Sequence, residues 1–230
     1  VWASADADLT PLPLFVVAAE TGGQALGAFA GERMVGFTLA LAGLHKKSPF
    51  LHSHMTAVVD GWRDRGVGRQ LKLFQRNDAL TRGIDLIEWT FDPLQIKNAY
   101  FNLVRLGAIA RKFVANMYGA FSSPLQGSLP TDRLVAEWHL NSPRVRRAVS
   151  ERNRAAEMRS RVRGGKVVRI RIPADLAAAR SRHPDVALRT QAEIRQEFEY
   201  WLKLGYAATS VLVGPSGHGG EYLLEPWKKK

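Results

Sequence analysis

Arg63-Asp64-Arg65-Gly66-Val67-Gly68 is the stretch of this chain best equipped to do chemistry. Residues 51–59 before it read as extended. After it, Val67, Leu71 and Phe74 recur at helical spacing, and Gly83 is a plausible stop. Glycines at a strand-to-helix junction let the backbone come close to a ligand. The first helical N–H groups have no partner within the helix and carry partial positive charge. Such a helix start attracts anions, so the pattern predicts a phosphate-bearing ligand. Arg65, Arg69, Lys72 and Arg76 continue from the turn at intervals of four, three and four, forming one basic stripe. Arg65 and Arg69 lie nearest the helix mouth, while Lys72 and Arg76 fit a solvated cationic face equally well. Groups able to take a proton flank the turn. His52 and His54 share a strand face at period two and titrate near neutrality, and Glu88 becomes a base if burial beside Trp89 raises its pKa. Each also reads as an ordinary satisfied polar residue.

Two familiar phosphate motifs are excluded. No Gly-Lys-Ser/Thr follows Gly68, as a Walker loop needs, and Leu71 stands where a dinucleotide fingerprint needs its third glycine.

The elements that must position these residues are legible from pattern. A helix-and-loop stretch interrupted by Pro11 and Pro13 leads into strands over Gln24–Ala30 and Val35–Leu41, joined by the hairpin-like turn Gly31-Glu32-Arg33. A third strand precedes the glycine turn, and the helix after it runs to about Thr81. Residues 85–91 alternate, with Ile87, Trp89 and Phe91 on one face and Leu86, Glu88 and Thr90 on the other. A short helix from about Asn98 ends in Leu106-Gly107. Extended segments follow over Arg111–Tyr118 and Leu134–Leu140. Beyond Pro143 the chain is arginine-rich and helical in propensity as far as Gly164-Gly165. Then come a strand over Val167–Ile172 and a helix marked by Ile194, Phe198 and Trp201. A hairpin closes the chain, with Tyr206–Val213 and Glu221–Leu224 flanking the glycine loop 214–220. The organisation predicted is a first domain over 1–142, a basic linker helix over 143–166 and a small α+β extension over 167–230.

Composition narrows the classes. At 230 residues and 46% hydrophobic, the chain can bury a real core. No run approaches the roughly 18 apolar residues of a membrane span, and the first residues are acidic rather than basic, unlike a signal peptide. Zero cysteines excludes disulfides, thiolate metal sites and a cysteine nucleophile, which fits a cytoplasmic setting. The formal charge of +12 suits an anionic partner, although arginine-rich enzymes without one are equally common.

Strand, Arg-x-x-Gly-x-Gly, helix, strand and a short helix ending in Leu-Gly together resemble the GNAT superfamily of acetyl-CoA-dependent N-acyltransferases. Arg63, Gly66 and Gly68 match its signature. Thr90-Phe91-Asp92-Pro93-Leu94, Asn98-Ala99, Phe101-Asn102-Leu103, Leu106-Gly107-Ala108, His52-Ser53-His54-Met55 and Leu129-Pro130-Thr131-Asp132-Arg133 resemble one bacterial branch with a C-terminal extension. The resemblance covers residues 24–145 well and the remainder loosely. It implies an α/β (α+β) fold with a mixed, mostly antiparallel central sheet flanked by helices.

The resemblance also implies site roles. The amides of Arg63, Asp64, Arg65, Gly66, Val67 and Gly68, with Arg69, would wrap the pyrophosphate of acetyl-CoA or another acyl-CoA; a Cβ at Gly66 or Gly68 would crowd it. Family members splay the strand before the turn from its neighbour, and its main chain holds the pantetheine arm and thioester carbonyl, at Ala57, Val58 and Val59 here. Asn98 would reach the cofactor or, more plainly, cap its helix. Base candidates are His52, His54 and Glu88. Many members carry an acid tyrosine where this chain has Leu103, and an asparagine where it has Ile96, which leaves Tyr100 or Tyr118 as acids. No metal is implied. With no cysteine to carry the acyl group, transfer to the amine would be direct. Two other readings stand beside it: a sensor that binds acyl-CoA without turnover, and a nucleic-acid-binding protein using Arg144, Arg146, Arg147, Arg152, Arg154, Arg159, Arg161, Arg163 and Lys228–Lys230. Glutamates interrupt that basic run and no nucleic-acid motif accompanies it, so a solvated linker helix is favoured. A homo-oligomer, the amine acceptor and the acyl chain stay open.

Overall fold

The structure, a computed structural model, describes residues 10–119, 129–150, 167–176, 179 and 182–227. These residues form a mixed α+β fold of nine strands, mostly antiparallel, flanked by helices. They fall into two compact units: Val1–Trp89 with His139–Asn141, and Thr90–Trp138 with Ser142–Lys230.

The first unit begins with α1 (Leu12–Glu20), which has proline at its first turn, where the missing N–H costs nothing. β1 (Gln24–Ala30) and β2 (Arg33–His45) form an antiparallel hairpin whose register places Ala30 opposite Arg33. The turn is therefore the pair Gly31-Glu32, with φ of 59° at Gly31. β3 (Ser48–Val58) pairs along nearly all of β2, which explains why both strands outrun the expected spans. α2 (Val67–Thr81) follows the glycine turn, and β4 (Leu86–Phe91) runs parallel to β3. Val35, Leu39, Leu51, Leu71, Ala79, Ile87 and Trp89 are buried in this unit.

Helix α2 corrects the predicted apolar stripe. Phe74 is 63% exposed, whereas Lys72 and Gln75 are buried. At roughly 100° per residue, the buried arc runs from Val67 through Leu71, Gln75 and Ala79 to Lys72, and Phe74 falls just outside its edge.

The second unit contains α3 (Ile96–Tyr100), which continues as a π-helical turn over Phe101–Arg105 and stops at Gly107, where φ is 76°. β5 (Ile109–Val114) and β6 (Arg133–His139) are antiparallel. α4 (Pro143–Val149) starts at a Ser142 cap whose hydroxyl accepts from the Val145 amide. β7 (Val168–Ile172), α5 (Pro184–Lys203), β8 (Tyr206–Val213) and β9 (Gly220–Pro226) complete it. β8 pairs with β5 at Ala110↔Ala208, so the C-terminal hairpin shares a ladder with β5. Phe198 on α5 meets Tyr222 edge-on at 5.0 Å, and Trp138 donates its indole N–H to the Leu106 carbonyl at 2.7 Å.

Arg144 corrects another expectation. Counted above in a basic nucleic-acid segment, it is part-buried and donates to the carbonyls of Leu103, Gly107 and Thr209, with burial lowering its pKa. Those bonds close the open end of the π-helical turn. Arg152, Arg154, Arg159, Arg161, Arg163 and Lys228–Lys230 lie outside the described residues.

Candidate functional site

Between β3 and α2 the chain makes a bend in which Gly61, Asp64 and Gly66 have φ of 81°, 58° and 84°. Gly66 is the N-cap of α2, has no side chain to cap with, and is followed by no acidic residue in the first turn. Among the described residues, no protein acceptor takes a hydrogen bond from the main-chain N–H groups of Arg63 to Gly68; the first helical bond is Gln70 N–H to the Gly66 carbonyl at 3.0 Å. A Cβ at Gly66 would meet nothing within 4 Å, and one at Gly68 only a Val58 methyl at 3.8 Å. The helix mouth is thus uncovered and electropositive.

The side chains of the bend hold its shape. Arg63 turns back: its Nε donates to the Val58 carbonyl at 3.3 Å and its guanidinium pairs with Asp60 at 2.9 Å. Arg65 lies 5.5 Å over the Trp62 ring, which packs with Val59 against the Val35–Val67–Leu71 cluster. Arg69 is half-buried on α2. The basic stripe ends there. Lys72 is buried, and Arg76 donates twice to the Leu140 carbonyl, at 2.8 and 3.1 Å, so neither belongs to a solvated face.

Strand β3 carries two irregularities. Its parallel ladder with β4 comprises Leu51↔Ile87 and His52↔Glu88 among the described residues, yet β3 continues to Val58. From Ser53 onward, its edge toward β4 is open. On the β2 side, Met55 pairs with Leu39 and Ser53 with Ala40, which leaves His54 as a bulge residue. The Val59 amide donates to the Val35 carbonyl at 3.0 Å. By the alternation of an antiparallel ladder, Ala57 also bonds to β2, while the main-chain groups of Val58 face the open edge. Arg63 occupies the Val58 carbonyl, so the Val58 N–H is the donor presented there.

The candidate bases are brought together on β3 and β4. The His52 and His54 rings lie 6.4 Å apart, and His52 is the Cα partner of Glu88. Burial, then the neighbouring His54 and Lys72, lowers the His52 pKa below its ordinary value; burial lowers that of His54. Both imidazoles are therefore neutral near pH 7 and able to accept a proton. Glu88 is engaged by His45, whose Nε2 lies 3.1 Å from Oε2 and whose ring stacks on Phe50 at 4.0 Å. Sequence reasoning missed His45 because it sits beyond the expected end of its strand.

Sequence reasoning named Lys72 and Ser53 but missed that Lys72 is buried and that the two meet. Lys72 Nζ donates to Ser53 Oγ at 2.6 Å and Gln75 Oε1 at 3.0 Å, and lies 4.3 Å over the Trp89 ring. Burial pushes its pKa down to about 7. The signal was present: a lysine within the buried arc of an amphipathic helix.

Asn98 and Tyr100 belong to α3 of the second unit. Asn98 is not the cap. The helix begins two residues earlier with Gln95 as N-cap, and Asn98 accepts from Asn102 at 3.4 Å. Tyr118, in the same unit, shares a 2.8 Å hydrogen bond with Thr90 Oγ1. Among the described residues, no cluster of His, Asp and Glu could hold a metal.

An uncovered bend, a positive helix mouth and a splayed strand suit a diphosphate carrying an extended arm. Three solved structures are similar. Arabidopsis thaliana Naa50 in complex with a bisubstrate analogue aligns at 14% identity over 56% of this chain and 82% of that one, with a TM-score of 0.46. A putative GNAT acetyltransferase from Desulfovibrio desulfuricans aligns at 16% over 56% and 77%, with a TM-score of 0.45. A Bacillus subtilis acetyltransferase in complex with CoA aligns at 17% over 59% and 86%, with a TM-score of 0.44. No protein-family model matches this chain, and no curated protein does.

Proposed function

We propose that this protein is an acetyl-CoA-dependent N-acyltransferase of GNAT type. The observation that carries the reading is the run of uncovered amides from Arg63 to Gly68 directly beside the splayed edge of β3. The pyrophosphate of acetyl-CoA, or of another acyl-CoA, binds those amides and the mouth of α2, with Arg65 and Arg69 nearby. The acyl arm lies along β3, where the Val58 N–H donates to the thioester carbonyl oxygen as it gains charge. The acceptor amine attacks the carbonyl carbon and gives its proton to a neutral imidazole, His52 or His54, or to Glu88. The C–S bond breaks, and the CoA thiolate takes up a proton from solvent as it leaves. Acyl transfer is direct, and the acceptor is a small-molecule or peptide amine. Buried Leu103, in place of the family's tyrosine, favours one second reading, a sensor that binds acyl-CoA without turnover. Release of free thiol from acetyl-CoA with an amine mixture separates the two.

Binding is tested by melting. CoA at about 100 times Kd stabilises the fold by about 2.7 kcal/mol, a rise in Tm of roughly 5–10 °C for a chain this long. Gly68→Val is the better probe than a change at Gly66, because Gly68 has no positive φ while Gly66 does. The variant is expected to keep its circular dichroism and lose the shift. An unchanged shift in Gly68→Val removes the pyrophosphate from this turn, and no shift in the parent chain removes the cofactor altogether.

A further inference from the structure

The reaction above leaves one buried cation unused. Lys72 is 4% exposed, and its three N–H directions are taken by Ser53 Oγ, Gln75 Oε1 and the face of Trp89; no carboxylate is among these partners. Burying an ammonium without a counter-ion costs several kcal/mol, and a methionine would fill the same space without that cost. What the lysine holds is specific. Ser53 lies between His52 and the bulge residue His54, and its side chain faces α2, so its neighbour His52 projects from the opposite face of β3.

We propose that Lys72 is a positioning residue, which pins Ser53 from beneath β3 and so fixes the bulge and the two imidazoles, while placing a positive charge under His52. The inference rests on the reading of His52 as proton acceptor, but its test reads the imidazole itself.

The charges around the pair are few. On β3 there is His54; on β4, Glu88, already paired with His45 of β2; and on α2, Arg76, bonded to the Leu140 carbonyl, and Asp78, bonded to Gln24 of β1 and to Arg82. His52 titrates below its ordinary value, in a range where Lys72, with its pKa near 7, still carries most of its charge. A cation opposes protonation of its neighbour, so removing it raises the His52 midpoint.

The experiment is a pH titration of the full chain, with no ligand present, following the imidazole signals by NMR in the parent and in Lys72→Met. In the variant the His52 midpoint moves up, and amide shifts concentrate at Ser53–Met55. A purely structural lysine would perturb the amides and leave the midpoint in place; an unmoved or lowered midpoint overturns the proposal. If Lys72→Met fails to fold, Ser53→Ala carries the test: it keeps the charge, cuts the pin, and must shift the His54 ring and amide signals, and unmoved signals there overturn the proposal. The CoA melting shift, which belongs to the turn, is retained in both variants. Its loss in the parent chain defeats the acyltransferase reading and leaves the imidazole titration to stand or fall alone.

Discussion

The bend from Asp60 to Gly66 and the loop from Gly214 to Gly220 are both rich in glycine, and their surroundings differ completely. At Gly61 and Gly66 an added Cβ meets nothing within 4 Å. At Gly219 it would lie 2.7 Å from the Ala174 amide nitrogen, at Gly217 2.8 Å from Lys97 Cε, and at Gly220 it would run into the Leu212 carbonyl oxygen. Glycine in the loop serves close packing of β8, β9 and their neighbours. In the bend it serves backbone conformation and leaves clearance for something that is not protein. Only the second kind leaves room for a ligand, and residue type alone does not separate the two.

The largest expected effect breaks the comparison if it fails. Gly220→Ala forces a methyl against backbone between paired strands, and is expected to cost about 3 kcal/mol. Gly68→Ala, whose Cβ touches only a Val58 methyl, is neutral or stabilises α2 by up to about 1 kcal/mol, since alanine is the better helix former. Urea denaturation of both variants checks this. Equal costs would mean that the space around the bend is not real clearance.

The contrast extends to buried charge. In the second unit Asp132, 2% exposed, is paired with Arg195 at 2.9 Å and also accepts from the Asn116 amide. In the first unit Lys72 has no such partner, and its pKa falls to about 7 from an ordinary 10.5. Between those values the unfolded chain binds the proton that the folded chain has released, so stability rises with pH across that window and the penalty is complete below pH 7. Between pH 7 and 9 the gain is about 2 kcal/mol. Denaturation at the two pH values, in the parent and in Lys72→Met, should show this increment in the parent and its absence in the variant. An identical pH dependence would mean that Lys72 stays charged in place.

The sequence carried the local features well and the pairing of faces poorly. β1 and β8 match their predicted spans residue for residue, because alternation and glycine punctuation are local signals. The bend was legible for the same reason. Helix α2 was read a fraction of a turn wrong: Phe74 is the more apolar residue, but arc geometry puts Lys72 inside, and only the position of β3 and β4 beneath the helix decides which edge is buried. The open edge of β3 and the bulge at His54 depend on strand register, which no single strand records. Arg144 looked like surface charge because the carbonyls it satisfies belong to a π-helical turn some forty residues earlier and to a strand far later in the chain.

The smallest effect isolates backbone conformation from clearance within the bend itself. Gly66 sits at φ 84°, where an L side chain crowds its own main chain even when no neighbour is near. Gly66→Ala is therefore expected to lose about 1 kcal/mol although its methyl enters open space. Gly66→Asn should lose less, because asparagine tolerates the left-handed region through local hydrogen bonding. The bend already holds one residue of that kind, Asp64 at φ 58°. Denaturation of both variants orders the costs as glycine, then asparagine, then alanine. If alanine costs nothing, the positive φ is not what selects glycine at this position, and clearance for a ligand is left as the reason for it.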